Sequence, residues 1–150
     1  MASVLAGLLT ERTIKLKAHA SDWRMALRLG GQLLVDSGGV EPRYVDAMIQ
    51  TMLDFGPYVV IAPGLALGHA RPEAGVLRTC FSLVTLDSPV EFGVPENDPV
   101  DVIFSFGAPD KNAHLEALRQ MAALCSDEAN MRAIRAATHP SEVIALLNRQ

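Results

Sequence analysis

The segment Tyr58-Val59-Val60-Ile61-Ala62-Pro63-Gly64-Leu65-Ala66-Leu67-Gly68-His69-Ala70-Arg71-Pro72-Glu73-Ala74-Gly75-Val76 carries the most information in the chain. Tyr58–Ile61 is β-branched and aromatic and follows Gly56-Pro57, which predicts a strand. Thr79–Leu86, with Cys80-Phe81-Ser82-Leu83-Val84 at its centre, predicts another. His69 is expected on a short bend between these two apolar runs. Gly64, Gly68 and Gly75 remove bulk near the ring and admit unusual backbone angles. Pro72 stiffens the exit, and Arg71 brings a permanent cation beside the imidazole. Such a histidine suits an anionic group such as a phosphoryl. The same pattern also describes a packed or surface histidine on an ordinary Gly-rich turn, because short motifs recur by chance.

Around this segment the chain alternates between strand-like and helix-like patterns. Thr13–Ala18 alternates and predicts a half-buried strand. Ser21 is placed to cap a helix through Trp23, Ala26, Leu27, Leu33 and Leu34, stopped by Gly38-Gly39. Pro42 opens a second helix, with Tyr44, Val45, Met48, Ile49, Met52 and Leu53 at helical spacing. Pro89–Phe92 reads as a short extended piece, and Val100–Phe106 as an interior strand. Asn112 is placed to cap a helix through Leu115, Leu118, Met121, Ala122 and Leu124; Asp127 and Ser141 are placed to cap two more. The central strands are joined too closely for all of them to be parallel. The expected fold class is therefore α/β: a single-domain layered sandwich over 1–150, with a mixed β-sheet flanked by helices.

Composition narrows the function. The chain has 150 residues, 49% hydrophobic and 20% charged, which is ordinary for one globular domain with a real core. A net charge of -4 argues against a nucleic-acid surface. No apolar run reaches membrane-spanning length, and Met1–Thr10 lacks the basic leader of a signal peptide. Cys80 and Cys125 form no paired motif, so reduced thiols in the cytoplasm are the simplest expectation. The His, Cys and Glu residues lack metal-ligand spacing. There is no Walker-type loop and no dinucleotide fingerprint, so no cofactor is expected. Phosphate, if handled, arrives on a partner protein.

Of the four histidines, His69 and His114 stand out. His114 falls in the first turn of a predicted helix, directly after the strand ending at Phe106-Gly107. A helix N-terminus presents free amides and a partial positive charge, which attract anions and keep a nearby imidazole neutral. The same position equally fits a residue on a solvated face. His19 and His139 read as surface residues, and solvation is the default for Glu73 and Asp87, the carboxylates that could orient an imidazole.

Ala62–Val76 resembles the active-site block of the enzyme IIA domains of the bacterial phosphotransferase system. It is most similar to the ascorbate-type branch of the type-2 (mannitol/fructose) group. The resemblance extends in order along most of the chain from about Asp22. Tyr44–Tyr58 resembles the run-in helix and turn, Leu86–Gly93 with Asn97-Asp98-Pro99-Val100 the strands after the site, and Phe106–Leu124 the second-histidine segment. The resemblance implies that His69 accepts the phosphoryl group and that His114 lies against it and supports the phosphorylated state. It implies a donor, the phosphocarrier protein HPr, and an acceptor cysteine on enzyme IIB. The membrane enzyme IIC is then served indirectly, and a homodimer stays open as an alternative assembly.

Two departures separate the chain from mannitol- and fructose-type relatives. Gly68 stands where they commonly have Pro, and Gln50-Thr51 where they tend to carry an Arg-Glu pair. Arg71 therefore becomes the candidate cation, with Arg78 next. The expected site is a shallow depression with Leu65, Leu67, Pro72 and Val76 on its rim. A regulatory, nitrogen-type IIA protein acting through phosphorylation-dependent binding is the alternative within the family. A binding module without transfer is the alternative outside it, against which the presence of both His69 and His114 argues.

Overall fold

The computed structural model describes residues 4–110, 112 and 114–150; the start of the N-terminal run considered above, Met1–Ser3, lies outside them. In chain order the elements are α1 (Val4–Leu8), β1 (Ile14–Ala18), α2 (Trp23–Asp36), α3 (Arg43–Phe55), β2 (Val60–Ala62), β3 (Leu65–Gly68), a 3-10 turn (Pro72–Ala74), β4 (Cys80–Val90), β5 (Val100–Gly107), α4 (Leu115–Cys125), α5 (Glu128–Ala136) and α6 (Pro140–Asn148). The five strands form one sheet in the order β1-β4-β5-β3-β2. β1–β4 and β3–β5 are parallel pairs, whereas β4–β5 and β2–β3 are antiparallel. The sheet is mixed, as the short connections required.

Period-two alternation sorts the strand side chains into two cores. Val84, Leu86, Ala66 and Ile103 join Leu27, Leu34, Tyr44 and Met48 of α2 and α3 on one face. Phe81, Leu83, Phe104 and Phe106 join Leu5, Met121, Ile134 and Leu146 of α1, α4, α5 and α6 on the other. Helix α2 sits unusually close to the sheet. Its Gly30 lies over Ser82 and Ser105, and the Ser82 hydroxyl donates to the Gly30 carbonyl at 2.9 Å.

Several local expectations need correction. The supposed single bend around His69 is a hairpin followed by a strand end. Pro63-Gly64 makes the turn, with Gly64 at φ 75°, and Leu65–Gly68 is itself a strand paired on both sides. The first predicted strand is shorter and later than expected, because Tyr58 lies outside the ladder. Pro89-Val90 completes β4, so the separate piece at 89–92 does not exist as such. Helix α2 is capped by Asp22, whose carboxylate accepts from the Met25 amide at 2.9 Å, and not by Ser21. Residue His114, not Asn112, occupies the N-cap position of α4. His139 precedes α6 with Pro140 in its first turn, and Glu142 reaches back to the His139 amide, so Ser141 is not the cap. Asp127 caps α5 as expected. Helix α1 carried no sequence signal; Leu5 and Leu9 bury it against the far core.

The tight α2–sheet contact yields a direct expectation. A Cβ added at Gly30 would stand 2.4 Å from Ser105 Oγ. Gly30→Ala should lower stability by about 1–3 kcal/mol in urea unfolding, by overpacking. Combining it with Ser105→Ala should recover most of the loss. Strict additivity of the two changes would show that the clash is not the cause.

Candidate active site

The parallel pair β3–β5 ends with Gly68 opposite Ser105. His69 is the first residue beyond β3, while β5 continues through Phe106 and Gly107. Both chains thus leave the sheet at their carboxyl ends side by side, which is where open α/β sheets form clefts. Gly68 does not have a positive φ. Its role is clearance: an added Cβ would lie 2.8 Å from Met48 Cε and 2.9 Å from Ser105 Oγ.

His69 is held on three sides. Its ring stacks on Phe106 at 5.1 Å between centroids, with planes 17° apart, and meets the edge of Tyr58 at 5.8 Å. Nδ1 lies 3.2 Å from the Leu67 carbonyl oxygen. A carbonyl only accepts, so Nδ1 carries the proton and Nε2 carries the free lone pair of the neutral ring. Burial pushes the His69 pKa down from its ordinary value of 6.5; the Leu67 carbonyl opposes this and the neighbouring His114 adds to it. Burial thus favours the neutral imidazole, whose Nε2 keeps its lone pair free of an internal proton.

His114 stacks on the same Phe106 ring at 4.9 Å. Its Nδ1 is buried and has no hydrogen-bond partner among the described residues. Arg71 precedes the 3-10 turn, is exposed, and makes no ion pair among the described residues. The neighbouring Glu73 is exposed, and its backbone carbonyl accepts from Arg43 at 3.1 Å. His69, His114 and Arg71 nevertheless line one cavity of about 790 Å³. Among its described lining residues Arg71 is the single Lys or Arg side chain.

The other candidates fall elsewhere. Arg78 donates to the Ser37 carbonyl and lines a different depression. His19 is exposed and faces Asp87 at 3.4 Å. Cys80 and Cys125 have thiols pushed up to about 11, mainly by burial, and neither lines the cavity. Of the expected rim, Leu67 and Pro72 line the cavity, but Leu65 points into the far core and Val76 bridges to Val40. The rim that sequence reasoning missed is Phe55, Tyr58 and Leu118, with Phe106 as the wall. Phe55 is 68% and Tyr58 48% exposed, large for apolar and aromatic side chains. The available signal was Phe55-Gly56-Pro57-Tyr58, an aromatic pair flanking a helix stop.

The chain is similar to known proteins along nearly its whole length. Residues 7–150 match the family "Phosphoenolpyruvate-dependent sugar phosphotransferase system, EIIA 2". The chain is 46% identical over 143 residues to the "Ascorbate-specific PTS system EIIA component" of Salmonella typhimurium, covering 95% of this chain and 93% of that one. A putative PTS IIA (PtxA) from Streptococcus mutans superposes with a TM-score of 0.88 at 36% identity, over 99% of this chain and 94% of its own. The Escherichia coli complex of enzyme IIAMTL and phosphorylated enzyme IIBMTL superposes at 0.80 and 25% identity, over 95% of this chain and 100% of that one. The match to the family model spans nearly the whole chain and includes both strand ends that carry the histidines, so this protein belongs to the EIIA 2 family of the phosphoenolpyruvate-dependent sugar phosphotransferase system.

Proposed function

We propose that His69 receives a phosphoryl group on Nε2 from HPr and passes it to a cysteine of enzyme IIB, in the cytoplasm, as the carrier of an ascorbate-type system. The observation that carries this reading is the Nδ1 contact with the Leu67 carbonyl, which leaves Nε2 as the free nitrogen in the cavity shared with His114 and Arg71. The attack is in line: the Nε2–phosphorus bond forms as the donor's bond to phosphorus breaks, and the ring's growing positive charge is shared with the Leu67 carbonyl through Nδ1–H. Such transfer relies on positioning and on charge stabilisation. Passing the group on reverses the geometry toward a thiolate and returns His69 to its neutral form.

The supporting groups divide by character. The buried Nδ1 of His114, without a hydrogen-bond partner among the described residues, suits donation to a phosphoryl oxygen. Arg71 offers a forked guanidinium with no ion-pair partner among the described residues. Where mannitol-type relatives tend to carry an Arg-Glu pair, Thr51 faces the cavity and donates to the Ala47 carbonyl at 2.8 Å, while Gln50 pairs with Asp54. The exposed rim of Phe55 and Tyr58, with Leu115 at 51% exposure next to His114, suits docking of the partners. The ascorbate assignment follows the relatives' names, and the enzyme IIB assignment follows the IIAMTL–IIBMTL complex. One chain supplies this cavity, so the reading does not require a homodimer, and the membrane enzyme IIC is reached only through IIB.

Incubation with phospho-HPr followed by mass spectrometry should place an acid-labile phosphate on His69; label at His114 or His19 with none at His69 would overturn the assignment. Arg71→Lys should slow single-turnover transfer partially and Arg71→Ala by roughly tenfold to a hundredfold, corresponding to the loss of one charge-assisted contact. Equal rates for both variants and the wild type would remove Arg71 from the site.

The depressed His69 pKa has a signed consequence. The unfolded chain takes up a proton that the folded cavity resists, so the folded state loses stability as pH falls from 6.5 through the folded midpoint, and the contribution is complete above 6.5. Imidazole NMR should find His69 titrating below 6.5, and His114→Ala should move that midpoint upward while slowing transfer. A midpoint above 6.5 in the wild type would refute the neutral nucleophile.

A further inference from the structure

We infer that Tyr44 is a positioning residue for phosphoryl transfer: its buried hydroxyl straps the loop carrying His69 to the end of strand β5. Tyr44 lies in the first turn of α3 and is completely buried. Its hydroxyl accepts from the Ala70 amide at 2.9 Å and donates to the Phe106 carbonyl at 2.8 Å, with the Ala70 carbonyl as a further neighbour at 3.1 Å. Ala70 directly follows His69. Phe106 is the residue whose ring stacks on both His69 and His114. One hydroxyl therefore anchors the backbone on either side of the site.

The sheet explains why such a strap is needed. The β3–β5 register closes at Gly68 and Ser105. Beyond it the two chains part, which opens the cavity but leaves the Ala70 amide and the Phe106 carbonyl without a ladder partner. The Tyr44 hydroxyl occupies that gap as one further rung between the strands, supplied by a helix. A hydroxyl can donate once and accept twice, so it satisfies both groups at once. Phenylalanine fills the same volume yet leaves a buried donor and a buried acceptor unmatched. The His69 loop would then be free to rotate, and the Nδ1 contact with Leu67 that selects the reactive tautomer would loosen. Misplacement of a reacting group by about 1 Å costs about a hundredfold in rate.

This inference rests on His69 being the phosphoryl acceptor, and its test is chosen to separate the two. Tyr44→Phe is compared with the wild type and with Leu146→Ala, a core truncation in α6 on the opposite face, which lowers thermal stability without touching the site. Nitrogen-15 shifts of the His69 imidazole are read at neutral pH, with single-turnover transfer from phospho-HPr. Tyr44→Phe should shift the ring from the Nδ1–H tautomer toward a mixture and slow transfer by about tenfold to a hundredfold. Leu146→Ala should leave both readouts at wild-type values. Tyr44→Phe with unchanged tautomer and unchanged rate would overturn the strap. If Tyr44→Phe does not fold, amide exchange in the wild type decides: strong protection of the Ala70 amide supports the strap, and exchange at the rate of an open loop overturns it. Mapping of the phosphate away from His69 would refute the acceptor assignment while leaving the tautomer result to stand on its own.

Discussion

The pairing of β3 with β5 is the constraint on which the rest of the molecule depends. Because the two strands run parallel, their carboxyl ends emerge together, and the residues that follow them share one cavity. His69 follows β3 at once, Phe106 ends β5, and His114 opens the helix that β5 feeds. Parallel pairing in turn requires the chain to run back the other way between β3 and β5, which it does through β4, antiparallel on the far side of β5. The mixed sheet is therefore not incidental to the site. An all-antiparallel meander would place successive strand ends at opposite edges and separate the two histidines.

Close packing of α2 and α3 against this pair makes the strand ends rigid. Gly30, Gly68 and Ser105 are small where helix and sheet approach most closely, and Met48 and Leu27 fill what space is left. The consequence reaches the site: any side chain at position 68 would run into Met48 and Ser105, so the residue before His69 has to be glycine for the strand to lie this close. The position of His69 is thus set by steric exclusion below it and by hydrogen bonds around it. Such a site sits on rigid elements although His69 itself belongs to a loop.

Much of this was legible in the residues, and the misses have physical reasons. The apolar runs of β4 and β5 read as strands because burial on both faces leaves continuous hydrophobic sequence. Leu65–Gly68 did not, because three small or aliphatic residues between Gly64 and Gly68 resemble a bend; only two neighbouring strands make it a strand. Ser21 and Asp22 are adjacent and both competent caps, and the choice fell to Asp22 because its extended backbone aims the carboxylate at the Met25 amide. His69, Arg71 and His114 were singled out from the pattern and the family resemblance together, and the structure brings all three to one cavity. Phe55 and Tyr58 were not, because whether an aromatic at a helix stop faces solvent or core is decided by tertiary packing. Tyr44 read as one more core residue at helical spacing; nothing local reveals that its hydroxyl meets two backbone groups that are far from it in sequence.

A carrier differs from an enzyme that keeps its substrate, and the cavity reflects this. The group must arrive from one protein and leave to another, so deep stabilisation of the phosphorylated state would slow the second step as much as it helped the first. The walls are largely apolar and aromatic, and among the described lining residues Arg71 is the single Lys or Arg side chain. A dense cationic cluster would bind the phosphoryl group tightly and hold it. His69 has its tautomer set by a backbone carbonyl and its charged form disfavoured by burial, which on the proposed reading leaves Nε2 free to take and release the group. Precision in this site therefore comes from where the ring is held, and the strength of binding is left low enough for the group to move on.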